Sequence, residues 1–178
     1  DRLPEEITCW GFKEIRYGVD ADDRTIDMLL ELFPESRNVV VTRHPWDTVV
    51  SMITAWNEDL VDRLLKQPSD RGVMQLTNLA ENYLQKWSEQ NQILLDYVGR
   101  FPDRFIWMRY EDFSARFSDT VFDFMGVPCP DNVKAVLEKK VWKTQDSPRS
   151  KCVKQHLDCV RLWGLVEKTA KTLGYEKL

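Results

Sequence analysis

The chain has 178 residues, 43% of them apolar and 30% charged, and 25 Lys and Arg stand against 29 Asp and Glu for a net charge of −4. That length is one ordinary domain able to bury about 70% of its unfolded surface, and with only 7 Gly and 8 Pro the composition excludes a disordered or collagen-like chain. No run of about 18 apolar residues offers a membrane span, and residues 1–20 hold no apolar signal segment. The mild negative charge excludes a general nucleic-acid binder, which needs a clustered basic surface.

In chain order, residues 7–15 (ITCWGFKEI) are rich in β-formers and read as a strand ending near Arg16. Residues 22–33 place Ile26, Leu29, Leu30 and Phe33 on one helical face and stop at Pro34. Asn38–Thr42 (NVVVT) is a continuous β-branched run, the pattern of a strand covered on both faces. Pro45 then suits a first helical position, and the helix continues through Val49, Val50, Met52 and Ile53. Residues 75–98 carry Leu76, Leu79, Tyr83, Trp87, Leu94 and Val98 at helical spacing. A third strand is expected at residues 104–110, and short helices at 114–125 and 131–141. Residues 143–152 read as a polar, basic loop, and 155–173 as one terminal helix closed by Gly174.

Cys9, Cys129, Cys152 and Cys159 form no C-x-x-C pair. Cys152 and Cys159, seven apart on a helix, would be separated by about 10 Å of rise, too far for a disulfide. His44 and His156 are the two histidines, so no zinc-ligand spacing appears. With no N-x-S/T sequon either, a reducing compartment such as the cytoplasm is the default.

Strands alternating with helices predict a parallel α/β sheet with helices on both faces, and ligands bind beyond the carboxyl ends of such strands. The expected functional positions are therefore 13–16, 43–47 and 110–112. At the second of these, Arg43 leaves the strand where a helix begins, and Asp47 and Ser51 lie one turn apart on that helix. A forked guanidinium, a hydroxyl and the positive end of a helix make an anion site. The same residues also suit an Arg–carboxylate pair and a packed Ser.

Arg43-His44-Pro45-Trp46-Asp47 with Ser51 resembles the R-x-P-x-D-x-x-x-S motif of sulfotransferases that use 3′-phosphoadenosine 5′-phosphosulfate (PAPS). The resemblance implies that Arg43 and Ser51 bind the ribose 3′-phosphate. Met108-Arg109-Tyr110-Glu111-Asp112-Phe113 is similar to the family's R-Y-E-D-L strand end, which places Tyr110 against the adenine. Trp10-Gly11-Phe12-Lys13-Glu14-Ile15-Arg16 resembles a G-x-K-x-x-R strand end, which points Lys13 at the transferring sulfuryl group as the catalytic residue. In the basic segment 143–154 the resemblance implies nucleotide contacts for Ser147, Arg149 and Lys151, and it sets Arg161 where some members place a basic phosphate contact.

The implied fold is a P-loop-NTPase-like parallel sheet flanked by helices, spanning roughly residues 7–175. The implied reaction moves a sulfuryl group from PAPS to a hydroxyl or amine acceptor without a metal, leaving 3′-phosphoadenosine 5′-phosphate. The family's P-K-S-G-T-T turn for the 5′-phosphosulfate is absent. Residues 1–178 are therefore expected to be the C-terminal part of a single sulfotransferase-like domain, incomplete at the N-terminus, with that loop upstream of residue 1; the alternative is a degenerate member that lost the motif. No His stands in 11–16 to act as general base, Glu14 is the local alternative, and His44 and His156 are expected to be structural. Among the tryptophans, Trp56, Trp87, Trp107 and Trp142 could line an acceptor cleft, though core packing explains most of them. Two other readings stay open: a P-loop kinase-like phosphotransferase, and a non-catalytic nucleotide-binding or interaction module.

Overall fold

The structure, a computed structural model, describes residues 11, 24–113, 115–137 and 147–177. Apart from Gly11, the expected strand at 7–15, with Lys13 and Glu14, lies outside the described residues, as do Trp142, Lys143 and Thr144.

Helix α1 (Arg24–Leu32) leads to strand β1 (Asn38–Thr42). Helices α2 (Pro45–Trp56), α3 (Glu58–Lys66) and α4 (Asp70–Arg100) form the crossover to strand β2 (Phe105–Arg109). A 3-10 turn (Tyr110–Asp112) follows, then α5 (Ala115–Met125), α6 (Asp131–Leu137), α7 (Pro148–His156), α8 (Cys159–Trp163) and α9 (Glu167–Thr172).

β1 and β2 pair in parallel, with Asn38 opposite Phe105 and Thr42 opposite Arg109. A parallel pair needs a long crossover, and here three helices supply it. The register brings both strands to an end at the same level, so Arg43 and Tyr110 emerge side by side. The described residues therefore form a mixed α/β arrangement with a small parallel sheet. β1 departs from the expected two-sided burial, since Val40 and Thr42 are buried but Val41 stays 45% exposed.

Two apolar clusters hold the elements. The larger joins α2, α3, α4 and the C-terminal helices through Val49, Ile53, Val61, Leu76, Ala80, Leu84, Val153 and Leu162, each at most 1% exposed. The smaller packs Ile26 and Leu30 of α1 and Tyr97 of α4 against Val40 and Phe105 of the sheet. The 31-residue α4 serves both clusters, because its apolar stripe runs from Leu76 to Tyr97. Ser69 caps its start, accepting from the Gly72 N–H at 3.2 Å, which extends it beyond the expected 75–98.

The C-terminal region corrects the sequence expectation most. Residues 155–173 are not one helix. Leu157 is extended, Asp158 caps α8 by accepting from the Val160 and Arg161 N–H groups, and α9 starts only at Glu167. The segment expected as a basic loop is helical from Pro148, with Ser147 as its cap. Helix α3 was not anticipated: its apolar positions, Leu60, Val61 and Leu64, are short and closely followed by charge. Trp87 is core, whereas Trp56 is 61% exposed at the end of α2. Cys129, Cys152 and Cys159 are free thiols, so the last two are not bridged.

Candidate donor site at the strand ends

β1 delivers Arg43 into a turn fixed from several sides. The Trp87 indole N–H of α4 donates to the Arg43 carbonyl at 3.1 Å. The next residue, His44, is buried and caps α2: its Nδ1 accepts from the Trp46 N–H at 3.3 Å, and its other ring nitrogen lies 3.0 Å from the Glu176 carbonyl. An accepting Nδ1 is unprotonated, so the proton sits on Nε2 and is donated to Glu176. The ring stacks on Trp163 with centroids 5.9 Å apart and meets the edge of Tyr175. His44 is thus structural, as expected, and not placed as a free base.

This cap changes the expected chemistry of the α2 N-terminus. Proline has no N–H, and the imidazole engages the Trp46 N–H, so the first turn is not an open cradle of donors. Any anion binding here falls to side chains instead.

The Arg43 guanidinium lies over the Tyr110 ring, 5.1 Å from its centroid. Its Nε is buried and makes no hydrogen bond among the described residues. A buried donor without an acceptor costs about 1–3 kcal/mol, only part of which a cation–π contact of about 0.5–2 kcal/mol offsets. Ser51 sits two turns into α2, half-buried, and its hydroxyl makes no hydrogen bond among the described residues. Asp47, one turn before it, lies 3.9 Å from the Lys154 ammonium of α7. Packing of α7 on α2 therefore brings a second cation to this face.

The 3-10 turn after β2 contributes more than Tyr110. Glu111 accepts from the His44 backbone N–H at 2.7 Å and from the Tyr175 hydroxyl at 3.0 Å. With that proton given to Glu111, Thr42 Oγ1 donates to the Tyr175 oxygen at 3.1 Å and accepts from the Trp107 indole at 3.0 Å. Burial pushes the Tyr175 phenol well above its ordinary value, and the Glu111 charge adds to this, so it remains a donor at neutral pH. Arg109 fastens the same corner, bridging bidentately to Asp112 at 2.7 and 3.0 Å and donating to the Gly174 carbonyl at 3.0 Å. Gly174 has φ +68°, a left-handed conformation that suits glycine where the tail turns back toward the sheet.

The expected contacts from α7 and α8 are distributed differently. Arg149 is engaged elsewhere: its Nε and Nη2 bind Asp62 at 2.8 and 2.9 Å and its Nη1 binds Glu58 at 2.6 Å. Ser147 uses its hydroxyl as the α7 cap, accepting from the Ser150 N–H at 3.1 Å. Lys151 is exposed on α7. Arg161 pairs with Glu81 of α4. Of the expected residues, the fold gathers Arg43 and Tyr110 at the strand ends and sets Ser51 on the adjoining helix. Sequence reasoning missed Glu111 as a bridging carboxylate and Tyr175 as its partner. The only signal for either was the run Glu111-Asp112 after a strand and an aromatic after Gly174.

No described helix is long and apolar enough to cross a membrane, and among the described residues no three His, Cys, Asp or Glu groups are placed to hold a metal ion. Searches of curated proteins and of solved structures find no match. Residues 24–131, more than half of the chain and including β1, α2, β2 and the 3-10 turn, match the model described as Sulfotransferase family. With its matched segment containing the two strand ends that carry Arg43 and Tyr110, the chain belongs to the sulfotransferase family.

Proposed function

We propose that this sulfotransferase takes its sulfuryl group from PAPS and delivers it to a hydroxyl or amine acceptor, with Arg43 and Ser51 holding the ribose 3′-phosphate and Tyr110 contacting the adenine. The observation that carries the reading is the half-buried Arg43, packed on Tyr110 with an unsatisfied buried Nε. A phosphate oxygen accepts from a guanidinium in fork geometry, which would satisfy that donor. The free Ser51 hydroxyl suits a further phosphate oxygen. These donors fit a dianionic monoester, and the flat Tyr110 face fits a purine.

When bound, PAPS supplies the sulfuryl group and leaves as 3′-phosphoadenosine 5′-phosphate. The chain's own part is positioning and fixed positive charge. Arg43 and Ser51 act at a distance from the reacting sulfur, so their binding energy holds the donor in line for attack. Lys13, outside the described residues, is proposed to stabilise charge that develops during transfer. Ser147 and Arg149 are occupied by a helix cap and by carboxylates and Lys154 faces Asp47, which leaves the exposed Lys151 as the α7 cation able to approach an anion.

The test is calorimetry with the complete polypeptide, comparing 3′-phosphoadenosine 5′-phosphate with adenosine 5′-phosphate. The reading expects the 3′-phosphorylated nucleotide to bind at least about 30-fold more tightly, the scale of a charged hydrogen-bond set. Equal affinities would overturn it. Lys13→Ala should lower kcat about 10²-fold while changing donor affinity less.

A further inference from the structure

Glu111 lies beside Tyr110, yet none of the roles proposed above uses it. Its two carboxylate oxygens face different parts of the molecule. One receives the His44 backbone N–H at 2.7 Å, inside the turn that carries Arg43. The other receives the Tyr175 hydroxyl at 3.0 Å, in the segment after the last helix. Tyr175 is in turn bonded to Thr42, the final residue of β1. The neighbouring Glu176 carbonyl takes the His44 ring, so the Arg43–His44 turn is held by the tail at two points.

Alternative explanations for this network are weaker. A carboxylate beside an anion site opposes anion binding through charge, so its presence there needs a compensating gain. Stability accounts for part of it, because Glu111 is exposed as a residue but both of its bonds are part-buried. What the carboxylate achieves beyond that is geometric. Accepting from the residue directly after Arg43, it fixes the backbone from which the guanidinium projects over Tyr110.

We propose that Glu111 is a positioning residue for the donor site, tying the Arg43–His44 turn to Tyr175 so that the C-terminal segment sets the pose of Arg43. This rests on the donor reading given above. The role predicts a selective effect. Loss of the bridge should weaken binding of a nucleotide only to the extent that Arg43 touches it.

The experiment is a mutant cycle read by calorimetry with 3′-phosphoadenosine 5′-phosphate and adenosine 5′-phosphate as probes. Glu111→Ala should weaken the first about 10-fold and the second less than about 2-fold, and Tyr175→Phe should weaken the first about 3-fold. Glu111→Gln should restore most of the loss, because its amide carbonyl still accepts from the His44 N–H. In an Arg43→Ala background, Glu111→Ala should have no further effect on either probe. Equal losses for both probes, or an undiminished Glu111→Ala effect without Arg43, would overturn the proposal. If Glu111→Ala fails to fold, Tyr175→Phe decides it on the same two probes, since it removes a single hydroxyl: a loss confined to the first probe supports the proposal, and equal losses overturn it. A wild type that does not distinguish the probes would instead remove the underlying donor reading, so the two failures are separable.

Discussion

Arg43 and Arg149 have the same side chain and opposite circumstances. Arg149 lies on α7 with its guanidinium enclosed by carboxylates, bidentate to Asp62 and single to Glu58. Arg43 rests on an aromatic face with a buried Nε that has no acceptor among the described residues. A saturated guanidinium clamps two helices together and has little left for a ligand. An unsaturated one is held in place by neighbours that do not quench it. The lesson is that a basic residue's function is read from its partners more than from its position in a motif.

The largest expected difference between the two is in nucleotide affinity. Arg43→Ala should cost about 2–4 kcal/mol of 3′-phosphoadenosine 5′-phosphate binding. Arg149→Ala should leave that affinity unchanged in the same titration. A comparable loss in both would mean that the α3–α7 clamp shapes the site, and the contrast would collapse.

Arg43→Lys sharpens the contrast further. An ammonium keeps the charge but cannot make a planar fork, so affinity should return only in part. Full recovery in the titration would show that charge alone is read.

Ser51→Ala should cost less, about 1–2 kcal/mol, since its hydroxyl is neutral. Adenosine 5′-phosphate affinity should not move, and a parallel loss there would place Ser51 against another part of the donor.

The smallest effect concerns the clamp itself. Hydrogen bonding to Arg149 holds the Asp62 carboxyl below its ordinary value of 3.8. A depressed carboxylate contributes stability that is present above the unfolded value and lost as the pH falls through the folded one. Thermal unfolding from pH 6 to pH 2 should therefore show a shallower acid limb in Arg149→Ala than in the wild type. Superimposable limbs would show that the exposed clamp adds nothing measurable.

Much of the strand-end arrangement was legible in the residues. The β-branched run 38–42 and the segment 104–110 both form strands, and Pro45 starts a helix, because these are local preferences that the tertiary structure did not override. The juxtaposition of Arg43 and Tyr110 followed from parallel pairing. What was not legible depended on long-range partners. A serine, proline and arginine at 147–149 are equally suited to a nucleotide loop and to a capped helix, and Asp62 and Glu58 on an unanticipated helix decided between them. The break at residues 157–166 came from Asp158, whose side chain caps a new helix where a continuous apolar pattern suggested none. Glu111 and Tyr175 have no signature that periodicity could reveal.

The His44 ring has its acceptor 132 residues further along the chain, and Thr42 meets Tyr175 across 133. At synthesis rates of about 5–20 residues per second, roughly 7–26 s separate the emergence of these partners. Over that interval the β1 end and its arginine are present without the tail that fixes them. Contacts of such sequence separation also form late in folding, since the loop they close must first lose its entropy. On the proposed donor reading, nucleotide selectivity is therefore one of the last properties to mature, together with the part of the core around α4 that the C-terminal helices complete.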